Sequence, residues 1–123
     1  MKSPEERVLE EKASEEEEYK KFLEKLIKTN REIILLSLIQ EKPMCGYDLI
    51  KEILQRCNVY ISQGTIYPVL YSLEEEGILH AEFGRGNIRT KRYLLTPDGK
   101  EIAERRLEGF AKALEYLLFM VKR

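Results

Sequence analysis

Four cations, Arg85, Arg89, Lys91 and Arg92, fall within the nine residues Gly84 to Arg92, a stretch that holds no acid. Guanidinium and ammonium groups crowded on a short segment suit the phosphates or the minor groove of a nucleic acid. A second group, Ser62, Gln63 and Thr65, is followed by Tyr67 and Tyr71. A glutamine can make a bidentate contact to adenine, and the hydroxyls can reach a base edge or a phosphate. Cys45, Cys57 and His80 are the remaining residues whose types could do chemistry. They are too scattered for a structural zinc site, which takes four ligands at tight spacing. The sequence carries no His–carboxylate pair, phosphate loop or nucleophile elbow, so the chain reads as no enzyme, with no cofactor and no metal site.

Each of these residues also has a plainer role. Ser62 suits a helix N-cap, with its hydroxyl accepting the backbone N–H of Gly64 or Thr65. Tyr67 and Tyr71 can pack against neighbouring helices, and burial is expected for at least one of them. The basic run can be a solvated face. The two cysteines suit small, half-buried packing positions, and His80 a structural one.

The whole chain nets -1, which does not announce a nucleic-acid binder. The charge is unevenly spread, however. Residues 1 to 18 set eight Glu against Lys2, Arg7 and Lys12, a net of -5, which leaves +4 on the rest. Screening confines each charge to about 8–10 Å, so the basic part can meet phosphate on its own. Two cysteines without a CxxC pair fit a reducing compartment, and the apolar runs fall short of the roughly 20 residues that span a bilayer. The expectation is a cytoplasmic protein with no membrane partner.

The elements that must position these residues follow from periodicity. Residues 4 to 28 read as a helix. Its Glu-rich start is either a solvated extension or frayed, and its later part is apolar at Tyr19, Phe22, Leu23, Leu26 and Ile27. Thr29 and Asn30 offer caps for a core helix over 31–39, apolar all round. Lys42 to Gly46 breaks it, and a short helix runs to Cys57-Asn58. A helix over 62–76 buries Ile66, Val69, Leu70 and Leu73 and ends at Gly77, with Pro68 a point of local strain. Two strands around a Gly-rich tip make a hairpin, a wing over 83–92. Thr96-Pro97-Asp98 then starts a final helix that runs to Arg123. Ala103, Leu107, Phe110, Leu114, Leu117 and Val121 repeat at 4-3 spacing along it, a coiled-coil seam and hence a homodimer contact, to which Phe22 and Leu26 add.

The fold expected is mainly α with a small β-hairpin. An N-terminal helical extension (1–28) precedes a winged helix-turn-helix domain (29–96) and a C-terminal dimerisation helix (97–123). In that arrangement the start of the 62–76 helix enters the major groove, beside the wing.

Lys42-Pro43-Met44-Cys45-Gly46-Tyr47-Asp48-Leu49-Ile50, Ser62-Gln63-Gly64-Thr65-Ile66-Tyr67-Pro68-Val69-Leu70, Leu73-Glu74-Glu75-Glu76-Gly77-Ile78-Leu79 and Arg92-Tyr93-Leu94-Leu95-Thr96-Pro97-Asp98-Gly99 together resemble the PadR family. The likeness covers about residues 31–100, and Gly-Thr-Ile-Tyr-Pro is its most specific element. It implies a dimeric transcriptional regulator, often a repressor, that reads a near-palindromic operator in double-stranded DNA. In some members a small molecule releases the DNA, so an effector of unknown identity is a possible partner.

Three departures stand out. No Lys or Arg lies between Ser62 and Glu76, the chain has no Trp and a short C-terminal part, and the first helix is longer than the family's usual start. Its apolar face is expected to pack on the final helix of the same or the other subunit. A winged-helix protein-docking module and a thiol- or metal-responsive sensor are the rival readings.

Overall fold

The computed structural model describes residues 1–84 and 87–123, with side chains for all of these except 87–89. The described chain holds α1 (Pro4–Thr29), α2 (Arg31–Glu41), β1 (Met44–Cys45), α3 (Gly46–Cys57), α4 (Gln63–Glu75), β2 (Leu79–Gly84), β3 (Asn87–Leu95) and α5 (Pro97–Lys122). The fold is mainly helical with one small antiparallel sheet, in the order β1-β3-β2. No described helix is long and apolar enough to cross a membrane.

α1 is continuous from Pro4, capped by the Ser3 hydroxyl, which accepts the N–H of Glu6 at 3.1 Å. The Glu-rich start is therefore a solvated helical extension. The α1–α2 junction differs from expectation. Asn30 stands at the N-cap of α2 but makes no side-chain cap there. Its amide instead donates back to the Leu26 carbonyl at 2.9 Å, closing the end of α1. The same carbonyl accepts the Asn30 backbone N–H at 3.0 Å, so Asn30 closes α1 with both its backbone and its side chain and leaves no side-chain cap for α2.

Leu35, Leu36, Leu38 and Ile39 of α2 are buried. They form one core with Leu49 and Ile53 of α3, Ile66, Leu70 and Leu73 of α4, Tyr93 of β3 and Ala103 of α5. Each such aliphatic side chain contributes about 1.5–3 kcal/mol by leaving water. The ends of α2 are also tied by charge, since Arg56 of α3 reaches Glu41 at 2.7 Å and Arg106 of α5 pairs with Glu32.

The expected hairpin gains a third strand. Met44 and Cys45, read from sequence as part of a break, pair with Tyr93 and Arg92. Cys45 then caps α3, its sulfur accepting the Asp48 N–H at 3.4 Å while Asp48 accepts the Cys45 N–H at 3.3 Å. At the other end of the sheet the Thr96 hydroxyl accepts the Gly99 N–H at 2.9 Å and donates to the Gly77 carbonyl at 2.7 Å. One threonine thus caps α5 and fastens it to the turn where Gly77, at φ +77, ends α4.

Candidate nucleic-acid interface

α4 is set by its buried face. Ile66, Leu70 and Leu73 have almost no exposed surface, which forces the opposite stripe outward. That stripe consists of Gly64, Pro68, Ser72 and Glu75, flanked by exposed Gln63 and Tyr71, with Thr65 half-buried. Gln63 opens the helix. Ser62 precedes it in extended backbone but makes no side-chain cap. Its hydroxyl lies 3.2 Å from that of Thr65, so the two form a pair at the helix start in place of the expected cap on the backbone. Helix α4 continues through Pro68, which has no N–H to give the Gly64 carbonyl.

Tyr67 turns inward. A methyl group at Gly46 would lie 2.6 Å from the Tyr67 ring, so the glycine makes the seat for this side chain, and burial raises its phenol above the ordinary range. Tyr71, with its centroid 5.9 Å from that of Tyr67, is exposed.

Among the described residues the basic run is divided. Successive strand residues face opposite sides, and β3 separates Lys91 from Arg92 accordingly. The Lys91 ammonium lies on the α4 side, 3.5 Å from Glu74 and 5.7 Å from the Tyr71 centroid. Arg92 is on the other side, lining a groove of mixed charge with Lys42 and Lys51 and with Asp48 and Glu52. Arg85 and the side chain of Arg89 lie outside the described residues.

Sequence reasoning missed several residues that share this surface. Gly64, Pro68 and Ser72 follow the helical spacing i, i+4, i+8 and were legible by that alone. Phe83 stands exposed near the hairpin end. A groove of about 710 Å³ runs from Gly64, Thr65, Pro68 and Ser72 to Thr29, Asn30 and Arg31, a nearness that only the fold creates.

The two long helices expose apolar faces. Phe22 and Leu26 of α1 and Leu114, Leu117 and Val121 of α5 are exposed, Val121 to 78%, and Leu107 and Phe110 are half-buried. Ala103 corrects the expected seam. It is completely buried in the chain's own core, so the stripe open to a partner starts beyond it. Among the described residues no group of three His, Cys, Asp or Glu is placed to hold a metal.

The sequence profile of the Transcriptional regulator PadR-like family matches residues 35–105. An uncharacterised protein from Lysinibacillus sphaericus is 32% identical over 100 residues, which is 77% of this chain and 92% of that protein. Among solved structures, a PadR-like transcriptional regulator from Bacillus cereus is similar, with a TM-score of 0.69 at 20% identity, covering 80% of this chain and 98% of its own. A transcriptional regulator from Clostridium thermocellum is similar with a TM-score of 0.68 at 24% identity, covering 79% and 95%. At these identities the two structures speak for the fold.

Proposed function

Because this chain belongs to the PadR-like family of transcriptional regulators, we propose that it works in the cytoplasm as a homodimeric repressor of a near-palindromic operator. The observation that carries this reading is the outward stripe of α4, held rigid by a fully buried opposite face and flanked by the wing. A helix placed this way fits the major groove, about 12 Å wide, with its first residues at the base edges.

Gln63 reads a base, and the Ser62–Thr65 hydroxyl pair contacts a base or phosphate beside it. Tyr71 closes the surface towards the wing, and Tyr67 supports α4 from within. Arg85, Arg89 and Arg92 meet phosphates, joined by Lys91 when it leaves Glu74. The apolar stripes of α5 beyond Ala103 and of α1 at Phe22 and Leu26 meet a second copy, since contiguous exposed apolar surface of this kind marks an association site.

The test is selection from a pool of random duplexes at two salt concentrations, with sequencing of the retained fraction. The expected result is a two-fold motif whose half-sites lie about 10 bp apart, or a multiple of it. The Gln63→Ala variant should then select a different half-site at one position. Absence of any duplex binding at low salt would favour the docking-module reading.

A further inference from the structure

We propose that a lysine ridge on the C-terminal half of α1 is a second DNA-binding surface, which follows the phosphate backbone beside the base pairs that α4 reads. The inference rests on the DNA-reader assignment and adds a part that the helix-turn-helix and wing do not contain.

The need arises on α4 itself. No cation lies from Ser62 to Glu76, α4 ends in Glu74 and Glu75 with Glu76 as its C-cap, and Lys91 beside it is paired with Glu74. Duplex affinity comes largely from neutralised phosphates, so the charge must be supplied from a neighbouring element.

α1 offers it in the right place. Lys21, Lys25 and Lys28 recur at i, i+4 and i+7, which puts them on one helix face, about a third of a turn round from Phe22 and Leu26. With Arg31 they line a shallow groove whose one acid is Glu24. Thr29 and Arg31 also line the groove that reaches Gly64, Thr65, Pro68 and Ser72, so the ridge and the reading stripe form one continuous surface.

The lysines are available. Lys21–Glu17 at 3.5 Å and Lys28–Glu24 at 2.6 Å are exposed i,i+4 pairs, of the kind that holds a side chain only weakly. Among the described residues Lys25 and Arg31 have no carboxylate partner, and the Arg31 guanidinium donates to the Lys28 carbonyl at 3.0 Å. The Glu-rich stretch up to Glu18 adjoins the ridge and repels a polyanion, which sets the outer end of the track at Lys21.

The test uses the full chain with Lys21, Lys25 and Lys28 changed together to Gln, a residue that keeps helix propensity. Affinity for the selected operator is titrated across salt for wild type and variant, with circular dichroism to verify equal helicity. The expected result is at least a tenfold loss at low salt and a salt slope flatter by about two units or more, at about 0.9 per lost phosphate contact. The ranking of operator variants should not change. An equal slope in the two proteins, with wild type still selecting its operator, overturns the ridge and leaves the DNA-reader assignment standing. A changed dimer dissociation constant with an unchanged slope makes the ridge a subunit contact and overturns it too. Failure of wild type to bind any duplex overturns both.

Discussion

The Lys91 ammonium lies 3.5 Å from a Glu74 carboxylate oxygen and 5.7 Å from the ring centroids of both Tyr71 and Tyr93. One side chain of the wing is thereby held to α4 by charge at Glu74 and by the Tyr71 ring, and lies over Tyr93 of its own strand. A cation over an exposed ring contributes about 0.5–1 kcal/mol, and a partly exposed ion pair a similar amount at most. The contact is strong enough to orient the wing and weak enough for a phosphate to compete for it.

Replacing Glu74 with Gln removes an acid from the side of α4 that faces the wing, the side proposed to meet DNA, and frees Lys91. DNA affinity should rise several-fold and the salt slope steepen by about one unit, as one more phosphate is engaged. Lys91→Ala in that background should cancel the gain. Fluorescence anisotropy titrations across salt measure both. If Glu74→Gln left the slope alone while Lys91→Ala by itself flattened it by a full unit, Lys91 would already be on a phosphate in the bound state.

Tyr93 is fully buried, and its hydroxyl has no hydrogen-bond partner. A buried polar group without a partner costs about 1–3 kcal/mol, so Tyr93→Phe should match or exceed wild type in thermal stability. Burial, with smaller contributions from Tyr71, Glu74 and Tyr67, pushes the phenol up to about 12 from an ordinary 10.0. The folded chain holds this proton more tightly than the unfolded one. The stabilisation it gives is complete below pH 10 and disappears as the pH rises towards about 12. Denaturant titrations over that window should show a loss in wild type that is smaller in Tyr93→Phe; equal losses would place the alkaline sensitivity elsewhere.

Much of this architecture is written in local signals. Thr96-Pro97-Asp98 announces the start of α5, and the apolar spacing of α4 predicts which face is buried, because both are decided within one or two helical turns. β1 was not legible, since two residues carry no alternation and Met44 and Cys45 become a strand only by meeting β3, nearly fifty residues on. The caps at Asn30 and Ser62 were read correctly as positions and incorrectly as bonds, because a neighbouring acceptor or hydroxyl took each side chain. The split of Lys91 from Arg92 follows from strand periodicity and was available in the sequence. The groove between α2 and α4 was not, for it depends on how two helices far apart in sequence pack.

Gly99 sits where α5 crosses the start of β2. A methyl group there would lie 2.0 Å from the Ile78 carbonyl oxygen and 2.9 Å from its carbon, both backbone atoms that cannot swing aside. Gly99→Ala would gain up to about 1 kcal/mol in helix propensity. Overpacking costs about 1–3 kcal/mol or more and also strains the bond from Thr96 N to Ile78 O, 3.0 Å long. Net destabilisation is expected, seen as a lowered Tm with DNA specificity unchanged in the folded fraction. A Tm equal to or above wild type would mean that α5 can pivot away from β2 at little cost.

Cys45 decides between a structural thiol and a sensing one. Its sulfur caps α3, and burial, partly offset by the backbone bond to Asp48, raises the thiol above its ordinary range. A reactive cysteine needs the thiolate, so this environment opposes reactivity at neutral pH. Serine is the better N-cap, its oxygen a stronger acceptor for the Asp48 N–H than sulfur. Cys45→Ser should keep or raise Tm and leave DNA affinity insensitive to mild oxidant, while wild-type Cys45 should react with a soluble disulfide more slowly than a free thiol does. Fast labelling of Cys45, with loss of DNA binding in wild type and not in Cys45→Ser, would instead make the capping sulfur a switch that acts by releasing the first turn of α3.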